Sequence, residues 1–246
     1  GVYGKRAQDY RNTFDREAGW FNLRRADGRF EPWADSLRIR EHYGCVESNL
    51  YQQGWFVPHD IPGMVELMGG KEKVLADLSA FFEKAPENLR WNQYYNHANE
   101  PVHLVPFLFN RLGCPWLTQK WTRHICSNAY KNSVEGLVGN EDVGQMSAWY
   151  VLAAIGIHPS CPGSARYEIT SPVFDEVRIN LDPSYFKGGS FVIKALNNSG
   201  KNRYIQKARL NGRPYNKCYI DFEDIASGGV LELFMGDTPN KEWGTD

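Results

Sequence analysis

The hydrophobic pattern changes period near Gly156, and that change most constrains what this chain can fold into. Before it, apolar residues recur at helical spacing: Val74, Leu75, Leu78, Phe81 and Phe82 share one face. Pro101 and Pro115 stand where a first-turn proline is tolerated, each opening an apolar stretch, and Gly69-Gly70 and Gly113 read as helix stops. Met146, Trp149, Tyr150 and Ala153 predict a further helix between about Asp142 and Gly156. After His158-Pro159 the runs become short and alternating. They predict strands over 167–170, 177–181, 191–196, 207–210, 217–220 and 230–234, each bounded by Gly, Pro, Asn or Asp. Asn197-Asn198-Ser199-Gly200 reads as a hairpin turn and contains an N-glycosylation sequon, which matters only in a eukaryotic secretory pathway. The expected architecture is a mainly α region over 1–157 followed by a smaller β-rich α+β region over 158–246.

Bulk properties exclude several classes of function. With 28 basic and 29 acidic residues the formal net charge is −1, which argues against a nucleic-acid partner. The apolar runs fall far short of a bilayer span, which needs roughly 18–20 residues. Five scattered cysteines show no C-x-x-C spacing and read as ordinary buried thiols. Aromatic residues make up 14% of the chain, with eight Trp and thirteen Tyr. Most of these fill a core, but flat rings also stack on the C–H faces of sugars.

Three segments crowd polar residues among aromatics and prolines. In the first, 45–60, Glu47 lies near Tyr51, Trp55 and Phe56, where apolar surroundings would raise a carboxyl pKa into the range of a general acid. Glu47 also has an ordinary reading as a surface or salt-bridged residue, and Asp60, before Ile61-Pro62, reads as a helix N-cap. The second, 92–103, gathers Asn, Gln and Glu oxygens that suit a hard cation such as calcium or a ring of sugar hydroxyls. Asn99 or Glu100 would equally cap a helix starting near Pro101, and His97 and His103, six apart, match no common zinc spacing. The third is Gly139-Asn140-Glu141-Asp142. Asn140 is a good N-cap and acidic residues suit a first turn, yet two adjacent carboxylates repel unless a cation or a shared proton intervenes.

At these residues the chain resembles glycoside hydrolase family 92, the calcium-dependent exo-acting α-mannosidases. The likeness runs in collinear order from about Tyr10 to Trp243. Its blocks are Asp9-Tyr10-Arg11-Asn12, Gly19-Trp20-Phe21, Glu47-Ser48-Asn49, Trp55-Phe56-Val57-Pro58-His59-Asp60, Asn99-Glu100-Pro101, and Gly139 through Tyr150, the most specific of all. Tyr167-Glu168-Ile169 with Ser171-Pro172, Tyr204-Ile205-Gln206 and Met235-Gly236 complete the set. Three departures, Ser48 for Gly, Tyr51 for Trp and Gln52-Gln53-Gly54 for Gln-Tyr-Thr, sit beside the acid and bear on linkage preference.

The resemblance implies inversion at the anomeric carbon of a terminal α-mannoside, α-1,2-linked substrates among the candidates, with Glu47 as acid and Asp142 as base. The two carboxyl groups of such a pair lie roughly 6.5–9.5 Å apart. Asn140 stands where some relatives carry a second Asp. Calcium is the implied cofactor, with Asn99 and Glu100 as its first candidate ligands and Gln145 and Glu141 as weaker ones. Asn49, Trp55, His59, Asp60, Asn140 and Glu141 are implied to shape the cleft or touch sugar. The helical region would form part of an (α/α)6 toroid. This chain is expected to be the C-terminal part of a longer enzyme carrying an N-terminal β-sandwich, secreted or periplasmic, with a mannose-containing glycan as its partner. Two alternatives stay open: a non-catalytic carbohydrate-binding chain on the same fold, and an inverting glycosidase of another specificity.

Overall fold

A computed structural model describes residues 1–33, 37 and 44–245. Among these residues most helices precede the main run of strands, as the change of period predicts, apart from a short strand pair over 14–21 and a short helix over 222–226. The compact units divide elsewhere: one comprises 1–105 with 138–140, the other 106–137 with 141–246. The switch to strands at 157 therefore falls inside the second unit. The reason is that the last helices pack on the strands that follow them and belong to the same core. No helix among the described residues is long and apolar enough to cross a membrane.

The first unit contains α1 (Val2–Arg6), a 3-10 turn over Asp9–Thr13, and two short paired strands, β1 (Phe14–Asp15) and β2 (Trp20–Phe21). Three helices follow: α2 (Leu50–Gln53), α3 (Ile61–Leu67) and α4 (Lys71–Glu83). The face predicted for α4 is the buried one, with Val74, Leu78, Phe81 and Phe82 almost wholly enclosed. Gly69 and Gly70 both adopt positive φ after α3 and turn the chain into α4, as their stop signal predicts. Pro101 opens only a 3-10 turn, Glu100–Val102, rather than a helix.

The second unit holds α5 (Leu108–Arg111), α6 (Pro115–Asn128), with Pro115 in its first turn as expected, and α7 (Gln145–Ile155). The strands are β3 (Ile157–Pro159), β4 (Arg166–Ile169), β5 (Glu176–Asn180), β6 (Ser190–Leu196), β7 (Tyr204–Leu210), β8 (Arg213–Pro214) and β9 (Tyr219–Asp221). A short helix α8 (Phe222–Ala226) precedes β10 (Gly229–Gly236). All six predicted strands are present, while β3, β8 and α8 carry too few residues to show a period.

The 197–200 turn does not close a hairpin, which corrects the sequence expectation. Among the described residues the larger sheet has the order β5-β6-β10-β7-β8, so β10 lies between β6 and β7. It runs parallel to β6, with Leu231 opposite Ile193, and antiparallel to β7, with Leu233 opposite Ala208. Leu231, Leu233 and Met235 face one core with Phe191, Ile193, Ala195 and Ile205. A buried Glu168 is held nearby by Arg111, whose Nε stands 2.7 Å from Oε1 as a close charge contact, and by the Asn110 amide and the Ser160 hydroxyl. Burial pushes the Glu168 carboxyl pKa up, with Arg111 opposing it.

Candidate active site

In the first unit the segments carrying the candidate residues are stitched to one another by side-chain amides. Asn49 is the N-cap of α2: its Oδ1 accepts from the Gln52 backbone N–H at 2.8 Å, and Gln52 Oε1 accepts from the Asn49 N–H at 3.3 Å. The Asn49 Nδ2 donates to the Gln93 and Leu37 carbonyls at 2.9 and 3.1 Å, and Gln52 Nε2 donates to the Asn92 and Tyr94 carbonyls. Asn49 and Gln52 are buried, so each of these bonds satisfies a group that water cannot reach. The 45–53 stretch is thereby fixed to the 92–95 loop.

Glu47 sits one turn ahead of this junction, with its side chain exposed rather than enclosed among the rings around it. Its backbone is left-handed, φ 54°, and its carbonyl accepts from Asn99 Nδ2 at 3.1 Å. Non-glycine residues avoid this region, at a cost of about 1–3 kcal/mol where the surroundings enforce it. Asn99 is buried and follows Ala98, against whose backbone the third segment passes: a Cβ at Gly139 would stand 2.3 Å from the Ala98 carbonyl oxygen. Glycine is thus required at 139 for closeness of approach. Glu47, Asn99, Glu100 and Asn140 accordingly belong to converging segments of one unit, and Asn140 is exposed.

The aromatic residues near Glu47 form a floor beneath α2. Trp20, Tyr51, Trp55 and Phe81 pack edge-on or tilted with centroids 5.0–6.1 Å apart. Trp20 Nε1 donates to the Leu50 carbonyl and the Tyr51 hydroxyl to the Asp77 carbonyl in α4. Trp55 is fully buried in this cluster and presents no face to solvent, which corrects the expectation that it could touch sugar. His59 is exposed, its Nε2 2.7 Å from the Ala7 carbonyl, and lies edge-on to Tyr10. Asp60 is the N-cap of α3, as its position before Ile61-Pro62 predicts, accepting from the Gly63 N–H at 3.0 Å. Its other oxygen accepts from the Tyr10 hydroxyl at 2.7 Å and from Gln8 at 3.1 Å, and Arg11 stands 3.4 Å away. The Tyr10 bond, with those of Gln8 and Gly63, holds the Asp60 carboxyl at about 2 against the opposing effect of partial burial.

The second unit carries Asp142 in a turn with three consecutive left-handed residues: Asp142 (φ 46°), Val143 (φ 59°) and Gly144 (φ 91°). Helix α7 therefore starts at Gln145 with Gly144 as its N-cap, and Asn140 is not the cap. Glu141 reaches forward over this turn, its two oxygens accepting from the Ser147 N–H at 3.1 Å and the Ser147 hydroxyl at 2.7 Å. That bond does a cap's work from outside the helix and anchors the acidic turn; nothing in the spacing of Glu141 and Ser147 announces it. Glu141, Ser147 and Tyr150 line a cleft with the loop Tyr130–Leu137, which a bridge between those two residues closes. Asp142 and Gln145 are exposed at the turn's outer side.

No group of three or more His, Cys, Asp or Glu side chains converges on a metal position among the described residues. A hard cation takes six to eight oxygens and accepts amide, carboxylate, water and hydroxyl donors together. Asn99 spends its Nδ2 on Glu47, which leaves Oδ1 as its ligating atom beside the Glu100 carboxylate. Their amide and carboxylate oxygens are donors of the kind a calcium ion accepts, with sugar or water oxygens needed to fill the remaining positions. The buried His103, by contrast, is held at about 4 by desolvation. Four of the five cysteines are buried as expected, with Cys126 and Cys218 pushed up to about 12 by burial.

Comparison with known proteins defines the class. The catalytic-domain profile of glycosyl hydrolase family 92 matches residues 1–237. A family 92 α-mannosidase from Bacteroides thetaiotaomicron superposes with TM-score 0.87 at 32% identity, covering 98% of this chain and 31% of that one. A family 92 inverting mannosidase from the same organism gives TM-score 0.90 at 32% identity, over 100% of this chain and 35% of that one. A protein of Arthroderma benhamiae described as an uncharacterized secreted glycosidase is 30% identical over 279 residues, 100% of this chain and 34% of that protein. The chain belongs to glycosyl hydrolase family 92. It spans about a third of the length of these relatives.

Proposed function

We propose that the protein carrying this chain hydrolyses terminal α-mannosides with inversion, α-1,2 linkages among its candidate substrates. The observation that carries the reading is that Glu47 and Asp142 both occupy left-handed backbone in a chain of this family. Of the six described non-glycine residues with positive φ, two are the carboxylates that the family motifs single out as acid and base. The strained backbone at Glu47, and the less common one at Asp142, suit a preorganised site. In this reading the Glu47 carboxyl donates its proton to the glycosidic oxygen as the anomeric C–O bond breaks. Asp142 takes a proton from the water whose oxygen forms the new bond on the opposite face. Free mannose leaves with its anomeric configuration inverted, and the pair is reset when Glu47 regains a proton and Asp142 loses one. Calcium, when bound, would supply a positive charge against sugar hydroxyls, with Asn99 and Glu100 as its ligands and Gln145 and Glu141 as secondary ones. Asn49, Trp55, His59 and Asp60 support the cleft, and the helices form part of an (α/α)6 toroid. The relative described as secreted supports a secreted or periplasmic location.

The test is steady-state hydrolysis of an α-mannoside by the protein that carries this chain. Glu47→Gln and Asp142→Asn should each lower kcat/KM by about 10²–10⁴-fold, the usual worth of a general acid or base. Retained activity in either variant rejects its assigned role. Mannoside binding without turnover in the unaltered protein would favour the non-catalytic carbohydrate-binding reading, and cleavage of other glycosides in preference would favour another specificity.

A further inference from the structure

We infer that Asn99 is a positioning residue for proton donation by Glu47, acting through the backbone of the acid rather than through its carboxyl group. The inference rests on the proposed role of Glu47 and deepens it. Three observations carry it. The Asn99 Nδ2 donates to the Glu47 carbonyl at 3.1 Å, a side-chain bond to the acid's own peptide. Glu47 is left-handed at φ 54°, a conformation that Asn and Gly tolerate and Glu avoids, so the peptide must be held from outside. Asn99 is itself buried and immobilised, following Ala98, whose backbone packs against Gly139, and its N–H donates to the Asn96 carbonyl at 3.2 Å. On the far side, Asn49 fixes the same stretch to the Gln93 carbonyl. The acid therefore rides on a peptide clamped from both sides, while its side chain is left exposed to reach a leaving oxygen.

A clamp of this kind sets where the proton is offered, so its loss is felt only when the leaving group needs a proton. That consequence separates it from a role in sugar binding, in cation binding or in general stability. Asn99→Asp keeps the shape and, once ionised, removes the donor; Asn99→Ala removes the side chain. Each is assayed in the protein that carries this chain with two substrates: an α-linked mannobiose, whose leaving sugar must be protonated, and 2,4-dinitrophenyl α-mannoside, whose leaving phenolate need not be. The expected result is a fall in kcat of about 10–100-fold on mannobiose, the scale on which a small misplacement acts. On the dinitrophenyl substrate, assayed like mannobiose at saturating calcium, the fall should be at least about tenfold smaller, because loss of the Asn99 oxygen as a cation ligand lowers both rates alike and only the clamp changes their ratio. Because only folded molecules turn over either substrate, the ratio of the two rates is unaffected by any loss of folded protein.

Equal losses on both substrates, no loss on either, or recovery of mannobiose hydrolysis on raising calcium would overturn the clamp. Glu47→Gln in the same pair of assays tests the underlying reading separately. If that variant cleaves mannobiose at the unaltered rate, the assignment of the acid fails whatever Asn99 does. If it loses mannobiose cleavage and keeps dinitrophenyl cleavage while the Asn99 variants behave normally, the acid stands and the clamp fails.

Discussion

Val143 is a fully exposed β-branched residue at φ 59° between Asp142 and Gly144. Left-handed backbone costs a residue with a Cβ about 1–2 kcal/mol, and asparagine visits the region far more readily. Val143→Asn should therefore raise the melting temperature, by an amount corresponding to roughly 1 kcal/mol, where most substitutions lower it. Unchanged or reduced stability would show that the turn is not strained as described. Asp60 makes the second prediction. Its carboxyl pKa falls from 3.8 to about 2 on folding, so the unfolded chain binds the proton first as pH drops. Its contribution to stability is complete above about pH 3.8 and is lost towards pH 2. Urea midpoints for the unaltered chain and for Asp60→Asn should thus differ at pH 5 and converge near pH 2. The Asp60 cap was legible because Asp before Ile-Pro has one common meaning. The left-handed backbone at Glu47 and Val143 was not, because neither residue type favours it, and at Glu47 the bond that holds it comes from Asn99, 52 residues on.

At the scale of elements, periodicity carried the assignment wherever a segment was long enough to repeat. The buried face of α4 and the five longer strands, β4, β5, β6, β7 and β10, follow directly from the spacing of apolar residues. Two failures share a cause. The 197–200 turn looked like a hairpin because turn residues report only local geometry, whereas partner choice depends on which strand offers a matching apolar face. That strand is β10, more than thirty residues on, whose Leu231, Leu233 and Met235 all point into the core. The start of α7 was placed three residues early because Asn140 and the acids carry first-turn chemistry, while Glu141 in fact caps from outside through Ser147. Leu233→Ala should cost about 2–5 kcal/mol, since it empties a fully buried position in the strand shared by two neighbours. A denaturant midpoint close to that of the unaltered chain would contradict the central place given to β10.

Across the whole molecule, the carbohydrate chemistry was legible from motif order more than from composition. Exposure, hydrogen bonds and the sharing of Glu141 with Ser147 came only from the fold. The division into units at 105/106 and 140/141, rather than at 157, was hidden because packing partners are set in three dimensions. The candidate acid and base fall in different units. At this scale the proposed cation gives a prediction: a chelator should abolish α-mannoside hydrolysis and added calcium restore it, with magnesium a poor substitute because it demands a tighter octahedral cage. Activity indifferent to chelation would remove calcium from the account. The most direct measurement of the central claim is the configuration of the first-formed sugar. Proton NMR of an α-mannoside reaction, followed from its opening minutes before mutarotation intervenes, should show β-mannose accumulating first. Initial appearance of α-mannose would contradict inversion, and with it the pairing of Glu47 as acid and Asp142 as base.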